Sequence, residues 1–242
     1  MSIKIVVCDS GVGGLAVLNM ITKEFPFCKF VYVSDLKNMP YGNKSSDEIK
    51  RICAKRIKFA KSIKADCLII ACNTLATVGS EVIEKERGID IFTILPPLER
   101  ILNFSLEKTK IFCTEATAKS IILNRVIAIN KDSVVPLKSF ASEIEKNIFN
   151  LQKIDLSFLN FINLEDGRVY LSCTHYIHLK NAFKNHFSSC EIFDGTEELL
   201  TEIRKKFTFY LKGKRLKISF RGSGKRKMKR AFYHLYGEKS KK

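Results

Sequence analysis

The sequence predicts an α/β fold with mainly parallel sheets. Short apolar runs alternate with segments of helical period along most of the chain, the pattern of strands joined by crossover helices. Five of these runs or the loops after them carry polar, reactive or turn-forming residues: Asp9-Ser10, Pro40-Tyr41-Gly42, Cys72-Asn73-Thr74, Thr114 with Thr117, and Cys173-Thr174-His175. A faint repeat adds a third observation. LIIACNT and VYLSCTH share one scheme, and KIVVCDSG and EIFDGT share another, which fits two similar halves that each offer one thiol at a strand end.

The elements follow in order. KIVVC (4–8) is β-branched and runs into the turn DSGVGG, and helical spacing resumes over NMITKEF. FVYVS (30–34) reads as a strand and opens a loop with Pro40, Gly42 and two serines. Residues 47–64 read as an amphipathic helix, 68–72 as a buried strand and 79–87 as a helix. Later strands are expected at 89–94, 110–113, 126–129, 169–172 and 191–193. Helices are expected at 97–107, 115–123, 140–150, 176–187 and 196–211.

Composition bounds the function. A chain of 242 residues with 45% hydrophobic content can bury a real core. No apolar run reaches membrane-span length, and the first residues enter a strand directly, without the length or cleavage site of a signal peptide, so a cytoplasmic protein is expected. The eight cysteines contain no C-x-x-C pair, which argues against a structural zinc site. Cys28, Cys53, Cys67 and Cys190 read as small buried hydrophobes. The net charge of +17 is concentrated: from Arg204 onward there are 16 Lys or Arg and one acid, Glu238.

Packing does not explain a core strand that finishes in Cys-Thr-His. One strand-end thiol near a histidine suits a nucleophile. Two thiols on matching elements suit a paired role. A disulfide redox couple is one such role, although those couples usually sit close in sequence. Two-base proton transfer is another: one thiolate takes a proton from carbon and the other thiol delivers one to the opposite face. Asp9 and His175 are natural partners for tuning the two thiols. Ser10, Asn73, Thr74, Thr114, Thr117 and Thr174 supply hydroxyl and amide groups for a small zwitterion, and as single residues they also suit caps and turns. GVGG lacks the full dinucleotide-binding pattern. His178, His186 and His234 are assigned to surface or packing roles.

CDSGVGGLAVL (8–18), MPYGNKS (39–45), ACNT (71–74), TEATAKS (114–120), SCTHY (172–176) and DGTEE (194–198) together resemble the aspartate/glutamate racemase family, and glutamate racemase within it. The resemblance implies two similar α/β lobes with the active site in the cleft between them. It implies no cofactor, with Cys72 and Cys173 as acid/base residues on opposite sides of the substrate α-carbon, Asp9 assisting Cys72 and His175 assisting Cys173. It puts Ser10, Pro40, Tyr41, Gly42, Asn73, Thr74, Thr114, Thr117 and Thr174 at substrate-binding positions. Laying LKSFASEIE against the family's stretch with a glutamate near the second thiol points to Glu145. The implied organisation is a first lobe at 1–95, a second at 96–205, and a basic segment at 206–242 that packs back on the first. The implied reaction is racemisation of glutamate, supplying D-glutamate for peptidoglycan, with aspartate as the alternative substrate. Family members are often homodimers.

The sequence departs from the family at several places. Cys8 stands where the family has Phe, Cys113 and Ser172 where it has Gly, and Ile177 where it has Pro; a glutamate common before proline is replaced near Leu95. A side chain at 113 is expected to narrow the pocket or alter specificity. The run KGKRLKISFRGSGKRKMKR (212–230) is far more basic than its family counterpart. It reads as a solvated surface or as a contact for a nucleic acid or other polyanion, with Phe220, Phe232, Tyr233 and Tyr236 either stacking bases or anchoring a last helix.

Overall fold

The computed structural model describes residues 3–207 and 217–237. The chain begins with β1 (Lys4–Asp9), α1 (Gly14–Glu24), β2 (Lys29–Asp35), α2 (Ser46–Ser62) and β3 (Cys67–Ile70). Then come α3 (Asn73–Val78), α4 (Ser80–Glu84), β4 (Asp90–Thr93) and α5 (Leu98–Leu102). A second unit follows with β5 (Thr109–Cys113), α6 (Glu115–Ala118), α7 (Ile121–Ile129), β6 (Val134–Pro136) and α8 (Phe140–Lys146). It continues through β7 (Arg168–Ser172), α9 (Thr174–Ile177), α10 (Lys180–His186) and β8 (Glu191–Phe193). The chain closes with α11 (Thr196–Phe207), β9 (Lys217–Ser223) and α12 (Lys225–Tyr236).

Two sheets result, in the orders β4-β3-β1-β2-β9 and β6-β5-β7-β8, and every described strand pairing is parallel. Both faces of the first sheet are covered. Ile5, Val7, Phe30, Tyr32 and Ile69 turn into a core completed by α1, α11 and α12. Val6, Cys8, Val33, Leu68 and Ile70 turn into another completed by α2 and α3. Burial on both faces is why the strands read as continuous apolar runs. The second sheet is likewise flanked by two cores, one around Phe112 and Leu171, the other around Ile111 and Tyr170.

Strand order fixes where chemistry can sit. In the first sheet the chain steps from β1 to β2 on one side and then to β3 on the other. In the second it steps from β5 to β6 and then to β7. The crevice beyond such a reversal is where open α/β sheets hold ligands. Asp9 ends β1 and Cys72 follows β3; Thr114 follows β5 and Cys173 follows β7.

The structure corrects several expectations. Residues 126–129 belong to helix α7: Leu123 and Val126, three apart, are its buried positions, and the expected strand is β6, a few residues later. An unbroken apolar run carries no period that separates strand from helix. The helices expected at 97–107 and 79–87 shrink to α5 and α4, and the one at 115–123 breaks between α6 and α7. Leu199, Leu200, Ile203 and Phe207 of α11 pack in the first core, so the chain returns there before residue 206. Of the helix expected at 196–211, residues 208–211 lie outside the described residues, as does the start of the basic run. The rest of that run is folded rather than a solvated tail. Ile218 and Phe220 of β9 turn toward the first core, β9 pairs with β2, and α12 buries Met228, Ala231 and Phe232.

Candidate active site

Cys72 and Cys173 each occupy the cap position before a helix, α3 and α9, and both are buried. Asp9 receives three donors: the Gly11 N–H at 2.8 Å, the Thr174 hydroxyl at 2.9 Å, and the Ser10 hydroxyl at 3.4 Å. The Thr174 bond joins the two lobes. Thr74 joins them again: its Oγ1 is 2.9 Å from Thr114 Oγ1 and 3.3 Å from Thr117 Oγ1. Thr114 also caps α6 by accepting the Thr117 N–H. Gly42 lets the loop after β2 approach: a Cβ there would stand 2.8 Å from Thr114 Cβ.

Glu145, on α8, makes the third bridge. Its Oε2 accepts the Val12 N–H at 2.7 Å and lies 3.1 Å from His175 Nε2. The amide of Asn73 donates to the Ile94 carbonyl at 3.4 Å, and its Oδ1 is buried without a partner among the described residues. Tyr41 is buried and spends its hydroxyl on Asp35, 2.8 Å away, which Arg56 pairs at 2.7 Å. Pro40 precedes the turn containing Tyr41 and Gly42.

No protein-family model matches the chain. The glutamate racemase of Persephonella marina is 30% identical over 232 residues, which cover 91% of this chain and 85% of that protein. The chain belongs to the glutamate racemase family. The glutamate racemase of Clostridium acetobutylicum is also 30% identical, over 87% of each chain. Among solved structures, the glutamate racemase from Aquifex pyrophilus has a TM-score of 0.72 at 27% identity and covers 97% of this chain and 95% of its own. That of Campylobacter jejuni has a TM-score of 0.76, covering 96% and 97%; at 24% identity this is a likeness of fold. As a member of the glutamate racemase family the chain is an isomerase.

The electrostatics of this site differ on its two sides. Burial pushes the Cys72 thiol well above its ordinary pKa, and the charges of Asp9 and Cys173 push the same way. Burial also raises Asp9, against the opposing pull of His175, the Gly11 N–H and Thr174. His175 goes the other way from an ordinary buried histidine. Burial disfavours its charge, yet hydrogen bonds to Cys173 and Glu145, and their charges, raise it to about 10. Burial likewise works against Glu145, but His175, Lys227 and the Val12 N–H together hold it below the usual carboxylate value.

Cys113 is fully buried in the second lobe with Ile101, Ile111 and Leu123, and its carbonyl accepts from the Tyr176 hydroxyl at 3.3 Å. His178 is a packing residue: its Nε2 is 3.0 Å from the Val12 carbonyl and its Nδ1 3.1 Å from the Tyr236 hydroxyl. Sequence reasoning missed Lys227, Tyr32 and Arg56. Tyr32 donates to the Gly11 carbonyl at 2.6 Å. A lone lysine in a basic run and a tyrosine in a strand carry no local signature of these contacts.

Proposed function

We propose that this chain interconverts L- and D-glutamate without a cofactor, by two-thiol proton transfer at the α-carbon, and so supplies D-glutamate for peptidoglycan. The observation that carries the reading is the matched pair of strand-end thiols. Each follows the strand that flanks its own sheet's reversal, and Asp9 and His175 are bound to the same inter-lobe network. One thiol, as thiolate, removes the α-proton while the other protonates the opposite face. Asp9 would serve the Cys72 side. His175, tied to Cys173 and Glu145, would serve the other, carrying the proton that the second thiol gives or takes.

Binding groups are matched to a zwitterion. The unpartnered Asn73 Oδ1 suits the substrate ammonium, and the Thr74, Thr114, Thr117 and Thr174 hydroxyls suit its carboxylates, exchanging their inter-lobe bonds for substrate. Ser10 and the Pro40-Tyr41-Gly42 turn would complete the wall, Tyr41 by packing, since its hydroxyl is committed to Asp35. Relative turnover of the two amino acids separates glutamate from aspartate: a faster rate on aspartate would overturn the substrate assignment. A nucleic-acid role for the tail has less support, because Phe232 is buried and Phe220 is packed against the first core, and neither can stack on a base.

A further inference from the structure

The basic C-terminal segment sends one of its cations inward. Lys227 Nζ lies 2.7 Å from Glu145 Oε1 and 2.7 Å from the Glu145 carbonyl oxygen, donating to both. Among the described residues it is the only basic side chain of α12 in an ion pair. Arg230 instead lies over the Phe149 ring, 5.3 Å from its centroid.

The two carboxylate oxygens of Glu145 are therefore divided. Oε1 is held by the Lys227 ammonium, which leaves Oε2 to the Val12 N–H and His175 Nε2. The lysine itself is held in place by its helix. Its neighbour Met228 is fully buried, Phe232 sits in the first core, and Tyr236 at the far end bonds His178, which in turn bonds the Val12 carbonyl. One helix thus grips Glu145 directly and Val12, a partner of Glu145, through His178.

From this geometry we infer that Lys227 is a positioning residue for the proton relay Glu145–His175–Cys173, so that the basic C-terminal helix is part of the racemase apparatus. The inference rests on the assignment of Cys173 and His175 to proton transfer. Without the ammonium, Glu145 is held through Oε2 alone and takes up a proton more readily. His175 Nε2 then loses a fixed, charged acceptor, and the ring loses the contact that orients it. Lys227 touches none of the proposed substrate-binding residues, so substrate affinity stays outside its reach.

The test compares wild type with Lys227→Met, Lys227→Gln and Lys227→Arg, following glutamate racemisation across pH, with thermal unfolding alongside. The groups that bear on Glu145 are His175 on α9, Lys227 on α12, Asp9 on β1, Tyr32 on β2, and His178. Loss of the ammonium removes one of the influences holding Glu145 down, so the acid limb of kcat moves to higher pH. The expected result is a fall in kcat of roughly 10- to 100-fold in the Met and Gln variants with KM little changed. The acid limb shifts upward in both, and the Arg variant recovers most of the rate. Lys229→Met, on the same helix, serves as a control and keeps the wild-type profile. Unfolding at lower temperature with an unchanged pH profile and kcat would reduce Lys227 to a structural contact and overturn the inference, as would a change confined to KM. If the Met variant does not fold, the Gln and Arg variants decide by the same readouts. Full turnover in Cys173→Ser would instead sink the two-thiol reading itself, a result distinct from any Lys227 outcome.

Discussion

A methyl group added at Gly13 would stand 2.6 Å from both His175 Nδ1 and Thr174 Oγ1, and 2.7 Å from the His175 backbone nitrogen. All three contacts are too short, and two fall on the group proposed to serve the second thiol. Gly13→Ala is expected to displace the ring and lower kcat by about 100-fold; a wild-type rate in a steady-state assay would show the ring is not so confined. His175 also predicts a pH dependence. Its pKa rises from an ordinary 6.5 to about 10 in the fold, so its imidazolium stabilises the folded state fully below about 6.5. That contribution is lost as pH rises through about 10. The urea midpoint should fall between those limits, and the fall should shrink in His175→Gln. His178, lowered to about 4, acts in the opposite sense: stability present above about 6.5 is lost as pH falls through about 4. At this scale the sequence was most legible in position: Asp9 ends a strand and Cys72 and Cys173 follow strands, as their apolar runs imply. Glu145, which bonds Val12, His175 and Lys227, was singled out only through a resemblance. Lys227 was invisible because its role depends on α12 folding back across the molecule.

Among the elements, β9 and α12 show how charge obscures structure. In KISFRGS the core-facing residues Ile218 and Phe220 alternate with Ser219 and with Lys217 and Arg221 at either end, the period-2 pattern of an edge strand. The surrounding lysines and arginines made the same stretch read as a solvated tail. The opposite failure occurs at VIAI (126–129), where apolar continuity suggested a strand. The chain forms a helix there that leaves Ile121 and Ile129 exposed at 71% and 69%. Because α12 closes one face of the first sheet, its aromatic anchor carries stability. Phe232, in contact with Phe220 and Tyr236, is 6% exposed, and Phe232→Ala should cost about 3–5 kcal/mol in urea unfolding. A loss below about 1 kcal/mol would mean the helix is only loosely docked.

Over the whole molecule, two sheets with the same kind of reversal bring the ends of β1 and β3 together with those of β5 and β7. The lobes are tied at that meeting place by Asp9–Thr174, Thr74–Thr114 and Val12–Glu145. The α/β class and the placement of Cys72 and Cys173 after strands were readable because alternation and strand-end residues are local signals. How the chain returned to the first sheet was not, because α11, β9 and α12 reach it only through long-range contacts. The most direct test of the central claim is proton NMR of L-glutamate and of D-glutamate in D2O with the purified protein and no added cofactor. Two-thiol racemisation predicts loss of the α-proton signal from both enantiomers, slowed by about 10²- to 10⁴-fold in Cys72→Ser and in Cys173→Ser. Exchange that persists at the full rate without either thiol, or no exchange from glutamate at all, would contradict it.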